Sequence, residues 1–550
     1  MNDTSHQDIP SGDLKKSPSH DKKHHADREV NGTLNTADDL LEAMGYQSEL
    51  VRNRSTLQVA FMSFVLASIP YGLATTFFYP LIGGGPTNVV WGWVAVSIII
   101  LCVAISLGEI TSVYPTAGGV YYQTFMLSPV WCRKIMSWIC GWSYVVGNIA
   151  ITLAVNFGTT LFFIACINVF EDEPGVGIWQ AETYQIFLVF VVITILCNLV
   201  AALGNKWLPW LDTFAIFWTF AGVICIVVCV LALAKGGRRS AKFVFTEFEP
   251  ASGWPAGWAF CVGLLQAAYA TSSTGMIISC VFDFLPLVLA RKKAEAIVKL
   301  SMCEEVQNPS VQVPRAMVGT IVLNTICGLV FIVPLLFVLP DLEMLVGLAS
   351  GQPTPVIIAT AVGSQGGAFA LLLPLIVLAL FCGIGCTTAA SRATWAFSRD
   401  GAIPGAKWWK VIDKRLDVPF NAMMLSMAIQ ILLGVLYFGS SAAFNAFSGV
   451  GVICLTISYA VPIAVSLIGG RSHIKLGKFD MGTLGLLSNI VALAWSALAV
   501  PLFCMPSYLP VTTDTMNYAS VVLVAFFLVA ALCNTNTPPL RTIPERQIQF

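Results

Sequence analysis

Apolar stretches of about 20 residues recur along nearly the whole chain, and a helix of that length crosses a hydrocarbon layer about 30 Å thick. Twelve can be read: Leu57–Ile82, Asn88–Leu107, Ile135–Val169, Thr183–Leu203, Trp207–Ala234, Trp254–Ser279, Ala316–Leu339, Gly366–Ser391, Val418–Gly439, Ala442–Gly469, Thr483–Met505 and Thr515–Cys533. Backbone groups in lipid must bond within their own segment, so these spans are expected to be helices of an all-α membrane protein. Only 11% of the 550 residues are charged, against about a quarter in a soluble domain, which excludes a single water-soluble core.

Orientation follows from Lys and Arg. With the first 56 residues in the cytosol, seven basic residues lie in that tail and 19 in other cytosolic segments, such as Arg133, Lys134, Arg399 and Lys475; only Lys235, Arg238, Arg239 and Lys242 fall outside. The positive-inside rule then predicts both termini in the cytosol. No secretory signal is read before the first span, and the sequons at Asn2, Asn31 and Asn53 fall in the cytosolic tail. The 16 cysteines lie almost entirely in apolar spans without metal-ligand spacing and read as small core residues, so neither a metal nor a cofactor is expected.

Residues 1–37 are polar and aperiodic and read as a disordered cytosolic tail, 38–56 as an amphipathic segment at the membrane surface, and 534–550 as a second cytosolic tail. Within the 12 spans Asp212 is the only ionisable residue. A charge at mid-bilayer costs about 2.5–3.5 kcal/mol, so a site in these spans must use backbone dipoles, hydroxyls, amides and aromatic faces. Two spans carry weak points. Ser68-Ile69-Pro70-Tyr71-Gly72 interrupts the first, where an unwound segment and a simple kink fit equally, and Thr271-Ser272-Ser273-Thr274-Gly275 interrupts the sixth. Paired interruptions in corresponding halves are the sequence pointer to a transporter's substrate site. A faint internal echo, Thr116-Ala117-Gly118-Gly119-Val120-Tyr121 against Ser364-Gln365-Gly366-Gly367-Ala368-Phe369, suggests two repeats.

Four motifs carry a family resemblance from about Leu40 to Cys533: Gly83-Gly84-Gly85-Pro86; Gly108-Glu109-Ile110-Thr111-Ser112-Val113-Tyr114-Pro115 running into Thr116–Tyr122; Glu304-Glu305-Val306-Gln307-Asn308-Pro309 with Val313-Pro314-Arg315; and Ser391-Arg392 with Phe397-Ser398-Arg399-Asp400-Gly401-Ala402-Ile403-Pro404. In this order they resemble the amino acid–polyamine–organocation permeases, in particular the fungal amino acid, choline and 4-aminobutyrate branch. The resemblance implies two inverted five-helix repeats, 57–234 and 254–469, with discontinuous first and sixth helices, followed by two further helices within 483–533. It implies a secondary transporter for a small amine or amino acid (4-aminobutyrate, choline or a polyamine among them) in the plasma or vacuolar membrane, with the bilayer and protons as partners and no nucleic acid.

Counted back from the glycine motif, the family's first break falls on Pro70, Tyr71 and Gly72, beside Leu73, and the sixth-helix break on Ser273, Thr274 and Gly275. Many relatives place a carboxylate where Gly275 stands, so cation recognition shifts to aromatic faces, with Tyr71, Tyr144 and Tyr269 as candidates. Asn148, Thr152, Asn156 and Thr159 recur near one face of the third span and either line a polar path or join helices. Proton coupling needs a titrating group, for which Glu109, Asp212, Glu304 and Glu305 are the available carboxylates near the inner face. Thr387 and Thr388 stand where sodium-coupled relatives use hydroxyls, but a Thr pair is too common to assign an ion.

Residues 280–301, with Asp283 and Arg291-Lys292-Lys293, match no element of the family and read as a retained intron or a genuine insertion. Three other functions stand beside this one: a nutrient sensor on the same fold, an impaired product carrying the extra segment, and a membrane enzyme, for which the spans offer no nucleophile–base arrangement.

Overall fold

Every apolar stretch that the computed structural model describes is helical. The described residues are 64, 67–115, 118–173, 176–204, 208–272, 309–348, 350–413, 415–416, 418–439, 441–512 and 516–536, and all belong to one compact unit, Ser48–Glu545. In chain order the main helices are α1 (Ile69–Thr75), α2 (Phe78–Thr87), α3 (Trp93–Val113), α4 (Gly119–Leu127), α5 (Arg133–Ile167), α6 (Thr183–Leu203), α7 (Leu208–Leu233), α8 (Ala256–Gly263) and α9 (Leu265–Thr271). There follow α10 (Pro309–Phe337), α11 (Pro353–Val362), α12 (Gln365–Arg399), α13 (Phe420–Gly434), α14 (Ser441–Ile468), α15 (Gly482–Leu502) and α16 (Ala519–Asn536). Among the described residues nine helices are long and apolar enough to cross a membrane, and α11 and 519–533 are shorter apolar helices. A short hairpin, β1 (Glu171–Glu173) and β2 (Val176–Gly177), follows α5.

The first two spans separate within 83–87, as the sequence reading has it. The chain leaves helical geometry at Gly84 and Gly85, a kink between two helical pieces of the Phe78–Thr87 stretch. Gly85 takes φ 65°, a left-handed conformation that glycine adopts at little cost. Beside it a side chain on Gly83 would lie 2.7 Å from the Ala259 carbonyl and 2.8 Å from the Gly263 Cα. The glycine motif therefore turns the chain and lets α2 and α8 touch backbone to backbone. A π-turn, Asn88–Gly92, leads into α3.

Several helices run further than hydropathy suggests, and this corrects the expectation that Asp212 is the only ionisable residue in the spans. The second span continues to Val113 and includes Glu109; the eighth continues to Arg399 and includes Arg392, which is only 4% exposed. Hydropathy ends a span at the first charge, whereas a helix continues wherever protein shields that charge from lipid.

The third and eighth spans, α5 and α12, are both 35 residues long and pack against each other. Contacts pair Gly141 with Phe397, Thr152 with Cys386 and Asn156 with Gly383, so the two helices run antiparallel. Gly147 and Gly451 seat Leu455 and Ile151 across the α5–α14 contact, where small residues permit close approach.

Candidate functional site

The site region forms where the first span changes direction. Ser68 adopts φ 40° and ψ 49°, a left-handed conformation costing a non-glycine residue about 1–2 kcal/mol. Its N–H still donates to the Phe64 carbonyl at 3.0 Å, and a new helix starts at Ile69. Pro70 falls in the first turn of α1, where its missing N–H is harmless. Pro70, Tyr71, Gly72 and Leu73 are thus wound and buried, and the departure from helical geometry stands just before them, at Ser68.

α1 is only seven residues long and ends at a turn over Thr76-Phe77, so its last carbonyls have no helical partner. Side chains from elsewhere take them. Gln266 Nε2 of α9 donates to the Leu73 carbonyl at 2.8 Å, Thr354 Oγ1 of α11 to Ala74 at 2.8 Å, and Gln352 Nε2 to Thr75 at 3.2 Å. The Thr76 hydroxyl donates to the Gly72 carbonyl at 2.7 Å. An unsatisfied buried carbonyl costs about 1–3 kcal/mol, so these donors hold the short helix in place. At Gly72 the first and sixth spans come together, since a side chain there would meet Ala270 Cβ at 3.4 Å.

Tyr71 is buried, its hydroxyl donating to the Val155 carbonyl at 2.9 Å and lying 2.8 Å from Thr159 Oγ1, its ring edge-on to Phe162. On α5 the polar residues divide. Thr152 Oγ1 donates to Asn148 O and to Cys386 O of α12, Asn156 Nδ2 donates to Gln430 Oε1 of α13, and Thr159 faces Tyr71 of α1. These three join helices. Asn148 Nδ2 donates to the Tyr144 carbonyl, while its Oδ1 is buried without a partner, as are the hydroxyls of Thr387 and Thr388 one and two residues after Cys386. Orphaned buried oxygens call for an explanation such as water, an ion or a ligand.

Tyr269, also buried, lies on α9 one residue before the Gly72 contact. At the end of the described sixth span the Ser272 carbonyl accepts from Tyr459 Oη at 3.1 Å, beside a cavity of about 20 Å³ bordered by Ala268, Thr271, Val452 and Thr456. That is room for about one water. Ser273, Thr274, Gly275, Asp283, Glu304, Glu305 and the 280–301 segment lie outside the described residues, as does the side chain of Asp212, whose backbone is in the second turn of α7.

The remaining carboxylate candidate, Glu109, is fully buried at the end of α3. It pairs through both oxygens with Arg471 Nη2 at 3.0 Å and accepts the Met481 N–H at 3.0 Å. Ser112, one turn on, accepts the N–H groups of Lys478 and Phe479 at 2.9 and 3.0 Å. The motif thus clamps the second span to the loop between α14 and α15. The same motif meets a second one, 397–404, where Tyr121 Oη donates to Asp400 Oδ2 at 2.7 Å. Burial raises the Asp400 carboxyl above its ordinary value, against the lowering effects of Arg399 and Tyr121.

Sequence reasoning missed Arg471, Gln266, Gln352, Gln430 and Tyr459. A lone glutamine in an apolar span was a usable signal for Gln266 and Gln430, because a buried amide needs a partner. Nothing in the sequence marked Arg471.

A polytopic helical bundle whose first span breaks against its sixth, with the freed carbonyls held by side chains from other helices, defines a membrane transporter of the broken-helix type. A family model described as amino acid permease matches residues 55–527, and the chain belongs to that family. The fold class of about 12 transmembrane helices read from the sequence agrees with this membership. The chain is 30% identical to an amino-acid permease of Schizosaccharomyces pombe over 90% of its length and 86% of that protein's. It is 30% identical to the GABA-specific permease of Saccharomyces cerevisiae, covering 90% of this chain and 83% of the relative, and 28% identical to the choline transporter of that yeast, covering 84% and 78%.

Proposed function

We propose that this transporter carries a small amine or amino acid, of the class that includes 4-aminobutyrate, choline and polyamines, into the cell by proton-coupled alternating access at the plasma membrane. The observation that carries the reading is the break at Ser68, set against the sixth span at Gly72 and Ala270. Backbone strain held by surrounding structure is expected at a ligand clamp. In this reading two inverted five-helix repeats, 57–234 and 254–469, place the solute between Pro70–Leu73, Tyr144, Asn148 and Ser273–Gly275. The ring of Tyr71 faces the solute's cation, because its hydroxyl is already engaged. The orphaned oxygens of Asn148, Thr387 and Thr388 support a polar cavity along α5 and α12.

Glu109 acts as a positioning clamp, since its two oxygens are held by Arg471 and Met481, which leaves Asp212, Glu304 and Glu305 as the proton-carrying candidates. Uptake of labelled amino acids, 4-aminobutyrate, choline and polyamines in a permease-deficient cell tests this. One of these solutes should accumulate and a protonophore should abolish the accumulation; no flux for any of them overturns the proposal.

A further inference from the structure

The loop between α14 and α15 frames an open cleft of about 460 Å³ that transport does not account for. Arg471 and Lys475 line it together with Asp480, and Leu467, Ile474 and Leu486 give it an apolar wall. We infer that this cleft binds an anionic phospholipid, the headgroup phosphate resting against Lys475 and Arg471 and the acyl chains descending along Leu467 and Leu486.

Three observations carry this. First, the cleft is preformed: Arg471 sits in a left-handed conformation with φ 58°, its guanidinium is fixed by Glu109, and Ser112 fixes the backbone at Lys478 and Phe479. A rigid site loses little ordering entropy on binding. Second, Lys475 is exposed and makes no ion pair among the described residues, whereas Arg471 is already paired, so the lysine is the group left to receive an anion. Asp480, the carboxylate in the cleft, accepts the Gly482 N–H at 2.8 Å at the positive end of α15, which offsets its repulsion of an anion. Lys478 adds a further positive charge to the loop, and among the described residues Glu109 is the other carboxylate facing Arg471. Third, Leu467 and Leu486 of the apolar wall belong to the ends of two membrane helices, and Ile468, Leu476 and Leu487 beside it are exposed by 86, 74 and 56%. A soluble anion has no use for such a wall, while acyl chains do.

In the orientation proposed above this end faces the inner leaflet, where anionic lipid is concentrated. The inference rests on the membrane-spanning fold and not on the transport reading, so the two can fail separately.

Thermal melting of the purified full-length protein in detergent tests it, with titrated phosphatidylserine, phosphatidylcholine or water-soluble glycerophosphoserine. Phosphatidylserine should raise the melting temperature and the other two should not. Lys475→Glu should weaken the response on the order of tenfold, while Lys407→Glu, at an exposed lysine that does not line the cleft, should leave it intact. An equal response to phosphatidylcholine overturns the inference, as does an equal response to glycerophosphoserine, which would mark a soluble-anion site. Wild-type behaviour of Lys475→Glu, or the same loss in Lys407→Glu, also overturns it.

Discussion

At Tyr71 the hydroxyl is engaged by Val155 and Thr159, so what the residue offers a cationic solute is its ring. Tyr71→Phe should therefore keep uptake within a few-fold while losing about 1 kcal/mol of stability, and Tyr71→Ala should abolish uptake; full activity in the alanine variant would remove the ring from the site. Glu109 illustrates the opposite case, a carboxylate already committed to protein partners. Glu109→Gln leaves Arg471, whose side chain is 13% exposed, without its counter-charge. The cost should be on the order of 2–3 kcal/mol, somewhat below the 3–5 of a fully buried pair, read as a lower melting temperature. Gly485→Ala should destabilise in the same way, because its methyl group would overlap the Glu109 carboxylate. His473, in the same loop, is held down to about 4 by burial and by the neighbouring Arg471. The folded protein refuses a proton that the unfolded chain accepts below about 6.5, so this contribution is intact above pH 6.5 and is lost as pH falls towards 4. Melting temperatures across that window should decline in the wild type and decline less in His473→Gln.

Among the elements, α1 depends on its neighbours, since seven residues cannot satisfy their own ends. Gln352 and Thr354 lie on the α11 segment, nearly 280 residues away in sequence, and donate to its last carbonyls. Gln352→Leu combined with Thr354→Val should expose two buried carbonyls and cost about 2–4 kcal/mol, with a fall in uptake at unchanged surface expression. Unchanged uptake would show that these caps do not hold the first span. The sequence marked the interruption itself, because Pro70 and Gly72 disfavour an unbroken helix. The stretch it marked, Ser68–Gly72, contains the irregular residue, Ser68, while the count back from the glycine motif falls two residues further on, where a proline in the first turn of a helix is tolerated. Left-handed geometry at a serine, like that at Arg471, has no composition signal. On α5 the periodic polar residues were visible, but their partners on α1, α12 and α13 were not: a hydroxyl on a helix face can return to its own backbone or cross to a neighbour, and only packing selects.

For the whole molecule, the bias of basic residues predicts both termini in the cytosol, so a tag at either terminus should react with antibody only after permeabilisation; labelling of intact cells would reverse the topology. By itself the sequence determined the membrane class, the positions of most spans and the family, because apolar length and local motifs are written in consecutive residues. Thr183–Leu203 is the same in both readings, and the third span differs by two residues at each end. Only the tertiary structure decided where helices end beside charges, that Glu109 answers to Arg471, and that glutamines from distant segments close the ends of α1. Those outcomes depend on which groups meet after the chain has packed. A buried charge or an open carbonyl is costly alone and stable once paired, and the partner's identity is not recorded near it in the chain.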